Sequence, residues 1–488
     1  MAEGALKERT AKGLFWGGLS NGLLQVISLV FAVIIGRILD PSDFGVVGVL
    51  TIFSAVATTI QDSGFSGALL NRRKIDPNDY NSVFWFNVLL SGFIYLILFF
   101  SAPAIARFFH NPELVRLSRF TFLGFVIGSF GTAQNAYLMK QMRIKEKSIA
   151  SIVSVAVAGF VAVILALKGF SYWGIAIQNV LTIAVNTIGL WIASPWRPTF
   201  RISFKPVAEM FGFSVKILIT NTVSIINYHF FSVIFGHFYT ERDVGLYNQA
   251  NKWNSAGYSM INGMVHNVSQ TVFVEASDDS ARQLRVFRKM MRFAAFVSFP
   301  LMFGLALIAP EFITIFLTGK WLESGQLLRI LAIGGAVYPI TTVMVLLIIS
   351  HGGSGVQMLN NIAMGLVQLG VCALLFRYGV TWMVVAYTVV NCLWLIIWLA
   401  CVNRYLRYPL GAFLRDLAPY ALLSAAVMVA TYFLTRPIAD IRLLCISRIV
   451  IAVVLYAGAM RLSGSVLYKE SLDFLFSRFK KGGNHADD

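Results

Sequence analysis

Long apolar runs and short polar breaks alternate from one end of the chain to the other. Runs of roughly eighteen or more residues with few charges recur, long enough for an α-helix to cross a bilayer. The pattern predicts fourteen spans, at about 13–36, 43–62, 82–104, 118–139, 148–168, 171–193, 210–237, 244–270, 291–317, 328–350, 355–376, 380–402, 412–434 and 443–463. The first run is too long for a secretory signal and lacks a small-residue cleavage site, so it reads as a retained span. The basic stretch SPWRPTFRISFKP, at 194–206, separates the sixth span from the seventh. The expected organisation is a first lobe at 1–193, a cytoplasmic linker at 194–208, a second lobe at 209–403, and two further spans with a tail at 404–488. The expected fold class is an all-α polytopic membrane protein.

Composition strengthens this. Of 488 residues, 57% are hydrophobic and 13% charged, against about 25% charged in soluble domains. Cys372, Cys392, Cys401 and Cys445 lie in or beside apolar runs without metal spacing, and read as small buried hydrophobes. The net charge of +17 would suggest nucleic acid in a soluble chain. In a membrane protein it follows from the collection of Lys and Arg in cytoplasmic loops, and no nucleic-acid partner is expected. Basic clusters at 7–12, 72–74, 140–147, 197–205, 282–292, 404–415 and 478–481 fall on one side, with about a twofold excess over the other. Both termini are therefore expected in the cytoplasm.

The chain also repeats itself. FAVIIGRILDPSDFG at 31–45 and FSVIFGHFYTERDVG at 231–245 share Phe31/Phe231, Val33/Val233, Ile34/Ile234, Gly36/Gly236, Asp43/Asp243 and Gly45/Gly245, and Asn21/Asn221 obeys the same offset. An even number of spans separates the copies, so both enter the membrane in the same direction. This predicts two six-helix bundles related by an axis along the membrane normal. Ala102-Pro103, closing the third span, and Ala309-Pro310, near the end of the ninth, form a second echo. Gly36 and Gly236 are expected to end helices in a left-handed conformation, Asp43 and Asp243 to act as N-caps, and Gly45 and Gly245 to complete structural turns at the outer surface.

The eighth span is the least hydrophobic. Asn248, Lys252, Ser255, Ser259, Asn262, His266 and Ser269 recur at spacings of 4, 3, 4, 3, 4 and 3, which is one helix face. The second span does the same with Thr51, Ser54, Thr58 and then Gln61 or Asp62. Asn21 and Gln25 in the first span and Lys216, Asn221 and Asn227 in the seventh add to the set. Polar faces cannot lie against hydrocarbon, where an unsatisfied group costs several kcal/mol. They predict a hydrated cavity between the halves. The candidate lining is Asn21, Gln25, Thr58, Asp62, Lys216, Asn221, Asn248, Lys252, Ser255, Asn262 and His266. Snorkelling of Lys216 and Lys252 to the interfaces, and a helix–helix contact for His266, are the structural alternatives.

No metal-ligand spacing, nucleotide-binding loop or large outer catalytic loop occurs in the sequence. The residues read as a transporter, with cavity cations suiting a phosphate-bearing cargo and the amides and hydroxyls suiting sugars. An ion-coupled multidrug antiporter remains an alternative, although it would favour an acidic cavity. A membrane-embedded polysaccharide polymerase is a further one, with only His229 and His266 as catalytic candidates.

The stretches GRILDPSDFGVVGVL, QDSGFSGALLNR and FGHFYTERDVGLYNQANKW resemble the bacterial polysaccharide transporter family. These are the lipid-linked oligosaccharide flippases of the multidrug/oligosaccharidyl-lipid/polysaccharide exporter superfamily, and the likeness is greatest to their colanic acid and teichuronic acid exporter branch. The resemblance implies a V of two six-helix lobes around a cavity lined by spans one, two, seven and eight. It implies an undecaprenyl-diphosphate-linked oligosaccharide as cargo, moved to the outer leaflet by alternating access in the bacterial cytoplasmic membrane. The implied partners are membrane lipids and the polysaccharide polymerase and chain-length machinery. No cofactor is implied, and a gradient of protons or sodium is the implied driving force. Family members often carry an acid in span seven near 227–229. This chain has Asn227, Tyr228 and His229 there, with Asp62 as the nearest acidic substitute by position.

Overall fold

The computed structural model describes residues 2–62, 76–200, 205–275 and 279–464, with Tyr468. Its regular structure is helical throughout the described residues. The chain falls into two compact units, Met1–Asn248 and Gln249–Asp488.

The first unit holds α1 (Ala2–Ile38), α2 (Pro41–Gly48), α3 (Thr51–Asp62), α4 (Pro77–Phe108), α5 (Leu114–Lys140), α6 (Ile144–Leu167), α7 (Tyr172–Ala193) and α8 (Lys205–Phe238). It also holds the first turns of α9 (Glu241–Glu275). Helices α4 and α5 pair, α6 pairs with α7, α1 lies on α6, and α8 packs on α3 and α4. The seventh span and the opening of the eighth therefore group with the first six.

The second unit is built around α10 (Ser280–Leu317), whose 38 residues reach about 57 Å at 1.5 Å per residue. That is well beyond an apolar layer of about 30 Å. Around it lie α11 (Leu322–Gly335), α12 (Tyr338–Ser350), α15 (Leu410–Thr435) and α16 (Ile441–Leu462), while α14 (Val380–Val402) packs on α11 and α12 with α13 (Ser354–Leu375) beside it. Met291, Phe299, Met302, Leu347 and Trp398 lie in its buried core.

Twelve segments among the described residues are long and apolar enough to cross a membrane. Helices α8 and α9, of 34 and 35 residues, occupy the places of the other two predicted spans. The chain is thus a multi-pass membrane protein, as the hydrophobic pattern requires. Two predicted spans, 43–62 and 328–350, are each broken into two helices, α2/α3 and α11/α12. The second break leaves the Ala336 carbonyl free for the Ser298 hydroxyl, which donates to it at 2.7 Å. Pro339 then restarts the helix in its first turn, where a missing N–H costs nothing. Pro103 and Pro310 both lie inside helices, and α4 runs on to Phe108 rather than closing at Pro103.

Spans thirteen and fourteen are fastened to α10 by ion pairs. Asp416, fully buried, accepts from Arg288 (2.7 and 3.0 Å), Arg292 (2.7 Å) and the Tyr408 hydroxyl (3.0 Å). Nearer the other end of α10, Arg448 pairs with Glu311 at 2.7 Å and donates to the Leu307 carbonyl at 3.2 Å. The four cysteines are unpaired thiols, three of them buried, as expected of small apolar fillers.

Candidate functional site

The repeated corners come into direct contact within the first unit. Gly45 sits where a Cβ would overlap the carbonyl oxygen of Glu241, and Gly245 sits where a Cβ would overlap the carbonyl oxygen of Pro41. Positions 41 and 241 are themselves repeat partners. Each corner thus rests a glycine on the first-turn carbonyl of the other, as a two-fold axis between them would produce. Only a hydrogen fits between these backbones, which is why both positions are glycine.

Local chemistry shapes the corners differently from the sequence expectation. Asp43 is not an N-cap. Asp40 caps α2, and Asp43, three residues on, accepts from the Asp40 backbone N–H at 3.0 Å. Asp243 likewise accepts from the Thr240 backbone N–H at 3.1 Å and from its hydroxyl at 2.7 Å. Both acids therefore serve as the returning partner of a capping box. Gly36 and Gly236 are not left-handed helix ends. Neither has a positive φ, and α1 and α8 continue two residues further, to Ile38 and Phe238. At Gly236 the absent side chain makes room for Val49 and Phe109.

Further contacts reinforce this junction. The Ser232 hydroxyl donates to Asn248 at 2.6 Å. Asn111 donates to Glu241, and Ser171 to Asp43. His237 donates through Nδ1–H to the Phe108 carbonyl at 2.7 Å and stacks on the Phe108 ring at 4.2 Å between centroids. Just below, the break in span two is tied down by Thr51, whose hydroxyl donates to the Gly48 carbonyl at 2.6 Å. With that proton committed, Thr51 can only accept from His229, whose Nδ1 lies 3.4 Å away. His229, Ser232 and Glu241 are absent from the candidate lining, His229 being named in the sequence only as a catalytic candidate for the polymerase alternative and in place of the family's acid. Glu241 lies on the face that carries Asn248 and Lys252, seven residues before Asn248, ahead of the span limit set at 244.

As far as His266 the polar stripe of span eight is one accessible face of α9, and the side chain of Ser269 lies outside the described residues. Lys252, Ser259 and His266 are exposed, Asn248, Ser255 and Asn262 half-buried, while Gln249, Trp253, Ile261 and Val265 on the other face are buried. Ser255 bonds the Tyr258 hydroxyl at 3.1 Å, and Asn262 accepts from Thr342 at 3.2 Å. Among the described residues no carboxylate pairs with Lys252. Asn21 and Gln25, one turn apart on α1, are exposed, as is Asn221, the repeat partner of Asn21. Thr58 is exposed and turns its hydroxyl proton to the Ser54 carbonyl at 2.8 Å. The side chains of Asp62 and Lys216 lie outside the described residues.

The structure therefore brings spans two, seven and the start of eight together at the corner. Lys252, Ser255, Asn262 and His266 belong to the second unit. Among the described residues no group of three His, Cys, Asp or Glu side chains is gathered for a metal.

Comparison with known proteins agrees with this architecture. Residues 34–326 match the family described as polysaccharide biosynthesis protein. The chain is 25% identical over 334 residues to the teichuronic acid biosynthesis protein TuaB of Bacillus subtilis (strain 168), covering 68% of this chain and 69% of that one. It is 25% identical over 328 residues to the succinoglycan biosynthesis transport protein ExoT of Rhizobium meliloti (strain 1021), covering 67% and 66%. Among solved structures, the lipid II flippase MurJ in an inward closed conformation superimposes with a TM-score of 0.76 at 14% identity, over 94% of this chain and all of that one. At that identity the likeness speaks to the fold.

Proposed function

Because the chain belongs to the polysaccharide biosynthesis protein family, we propose that it is the membrane flippase for a lipid-linked oligosaccharide, a transporter rather than an enzyme. The cargo on this reading is an undecaprenyl-diphosphate-linked repeat unit, carried from the cytoplasmic to the outer leaflet for capsule, exopolysaccharide or O-antigen synthesis. The relatives named for polysaccharide biosynthesis and transport support the cargo class, and the fold shared with a lipid flippase supports the mode.

The observation that carries the reading is the accessible polar face of α9, with Lys252 unmatched by any described carboxylate. A cation without a partner is costly at membrane depth, and a diphosphate would offset that cost through charge-assisted hydrogen bonds. Asn262 and His266, on the same helix face, would then contact the sugars, with Asn21, Gln25 and Asn221 as the lining residues proposed from the sequence.

In this mechanism the lobes proposed from the sequence, 1–193 and 209–403, rock about the cargo. The reciprocal glycine contact is the outer closure, which parts to release it. Both termini are placed in the cytoplasm of a bacterial inner membrane, a gradient of protons or sodium drives the return, and a polymerase receives the product.

The test is a leaflet-resolved flipping assay on reconstituted protein with a lipid-diphosphate-linked sugar. Lys252→Ala is expected to lower the rate about tenfold or more, the loss of one charge-assisted contact, while Lys252→Arg keeps most of it. Undiminished flipping by Lys252→Ala would remove the proposed diphosphate contact.

A further inference from the structure

A trough of about 450 Å³ runs along the junction of α5 and α7, lined by apolar side chains from Ile127 and Phe130 on one helix and from Ala184, Ile188 and Ile192 on the other. The helices touch closely because Gly131 lies under Leu190 and Thr187, at 3.3 Å from where its Cβ would stand. The Trp191 indole N–H donates to the Phe130 carbonyl at 2.7 Å and fixes one wall. Ile188 and Ile192 are 59% and 80% exposed, so the trough opens on the surface that meets lipid. From Ala184 to Ile192 the helix rises about 12 Å, close to the apolar depth of one leaflet, about 15 Å.

Its mouth is polar and placed at an interface. Arg197 lies over the Trp191 ring at 5.5 Å, and its Nη1 donates to the Ser194 and Trp196 carbonyls, at 2.9 Å to the latter. Around it stand Trp85, whose Nε1–H donates to the Thr199 carbonyl at 2.8 Å, and Trp196, which packs on Tyr80 at 5.9 Å. Such a belt of amphipathic rings marks the boundary between acyl chains and headgroups.

Two carbonyls engage only one of the guanidinium nitrogens, so Arg197 keeps N–H donors to offer. No carboxylate among the described residues pairs with it. We propose that this trough is a binding site for an anionic bilayer phospholipid, with one acyl chain along Ile188 and Ile192 and the phosphate on Arg197. A planar, preset guanidinium suits phosphate. A zwitterionic headgroup would bring an ammonium beside Arg197, which no described carboxylate pairs with.

The experiment is native mass spectrometry of the delipidated full-length protein, supplied in turn with phosphatidylglycerol and phosphatidylcholine of identical chains and with a polyprenyl phosphate. The protein is expected to retain phosphatidylglycerol about fivefold over phosphatidylcholine, the effect of one basic side chain at an anionic headgroup. Arg197→Gln should erase that preference and Arg197→Lys keep it. Ile188→Trp, at an exposed position that a larger ring can occupy without touching the core, should lower retention of both phospholipids. Equal retention by the unsubstituted protein overturns the proposal. So does a preference that survives Arg197→Gln, or retention unaffected by Ile188→Trp, which decides the matter even where the arginine variants do not fold. Displacement of phosphatidylglycerol by the polyprenyl phosphate would assign the trough to cargo and overturn it equally.

Discussion

Gly45 packs so closely on Glu241 that the glutamate carbonyl occupies the place where a side chain at 45 would begin. The symmetry-related contact of Gly245 with the Pro41 carbonyl has the same character. Alanine at either position is expected to force the corners apart, with an overpacking cost of about 1–3 kcal/mol. Impermeant maleimide labelling of a reporter cysteine at Thr51, with the four native cysteines replaced, should rise in both variants. Labelling unchanged in Gly45→Ala and Gly245→Ala would mean that this contact does not close the outer face.

Arg448 and Glu311 form a pair that is buried on both sides, 6% and 14% exposed at the side chain. Removing one partner strands the other, and Arg448→Met or Glu311→Leu alone should cost about 3–5 kcal/mol. The double substitution should recover much of that loss, because no charge is then left without a partner. Melting temperatures of the three variants in detergent provide the comparison. A double variant no more stable than the singles would contradict it.

Asp279 caps α10 by accepting from the backbone N–H groups of Ala281 and Arg282 at 2.9 and 3.0 Å. The hydrogen bond from the Arg282 backbone holds its carboxyl below the ordinary carboxylate range. Because the folded value is depressed, the cap is fully formed at neutral pH and is lost as pH falls through that lowered value. Hydrogen-exchange protection of the first turn of α10 should therefore decline on acidification in the native chain. In Asp279→Asn, which keeps an acceptor but does not titrate, the decline should vanish.

His229 is an ionisable ring held against the interruption of span two, where Thr51 and Gly48 meet. If protons drive the return stroke, His229→Gln should abolish stimulation of flipping by an imposed proton gradient while basal exchange continues. A sodium-driven return leaves the substitution silent in the same vesicle assay.

Much of this architecture was legible in the chain because bilayer thickness sets helix length, and an apolar run of the right length has few alternatives. The polar stripe of α9 was legible for the same reason, since a helix with Lys252 and His266 on one face and Trp253 and Val265 on the other can bury only the latter. The repeat at Gly45 and Gly245 was visible, but its purpose was not. A glycine in sequence signals freedom of backbone or closeness of approach alike, and only coordinates choose between them. Asp43 and Asp243 were misplaced by three residues because Asp40 and Thr240 are equally good caps, and the pairing of the two defines the box. The clamp of Arg288 on Asp416, 128 residues apart, has no local signature. The breaks in spans two and ten lie within apolar runs that hydropathy reads as continuous.

At the heart of the two corners the contacts of Gly45 and Gly245 are made with main-chain carbonyls. Neither glycine can be exchanged for a larger residue without displacing a backbone, so selection acting on cargo preference has no purchase at those two positions. On the proposed reading, amino-acid change can roam over the helices that would contact the cargo, while positions 45 and 245 admit only glycine. A flippase of the proposed kind could thus be retooled for a new cargo without any change at this backbone contact.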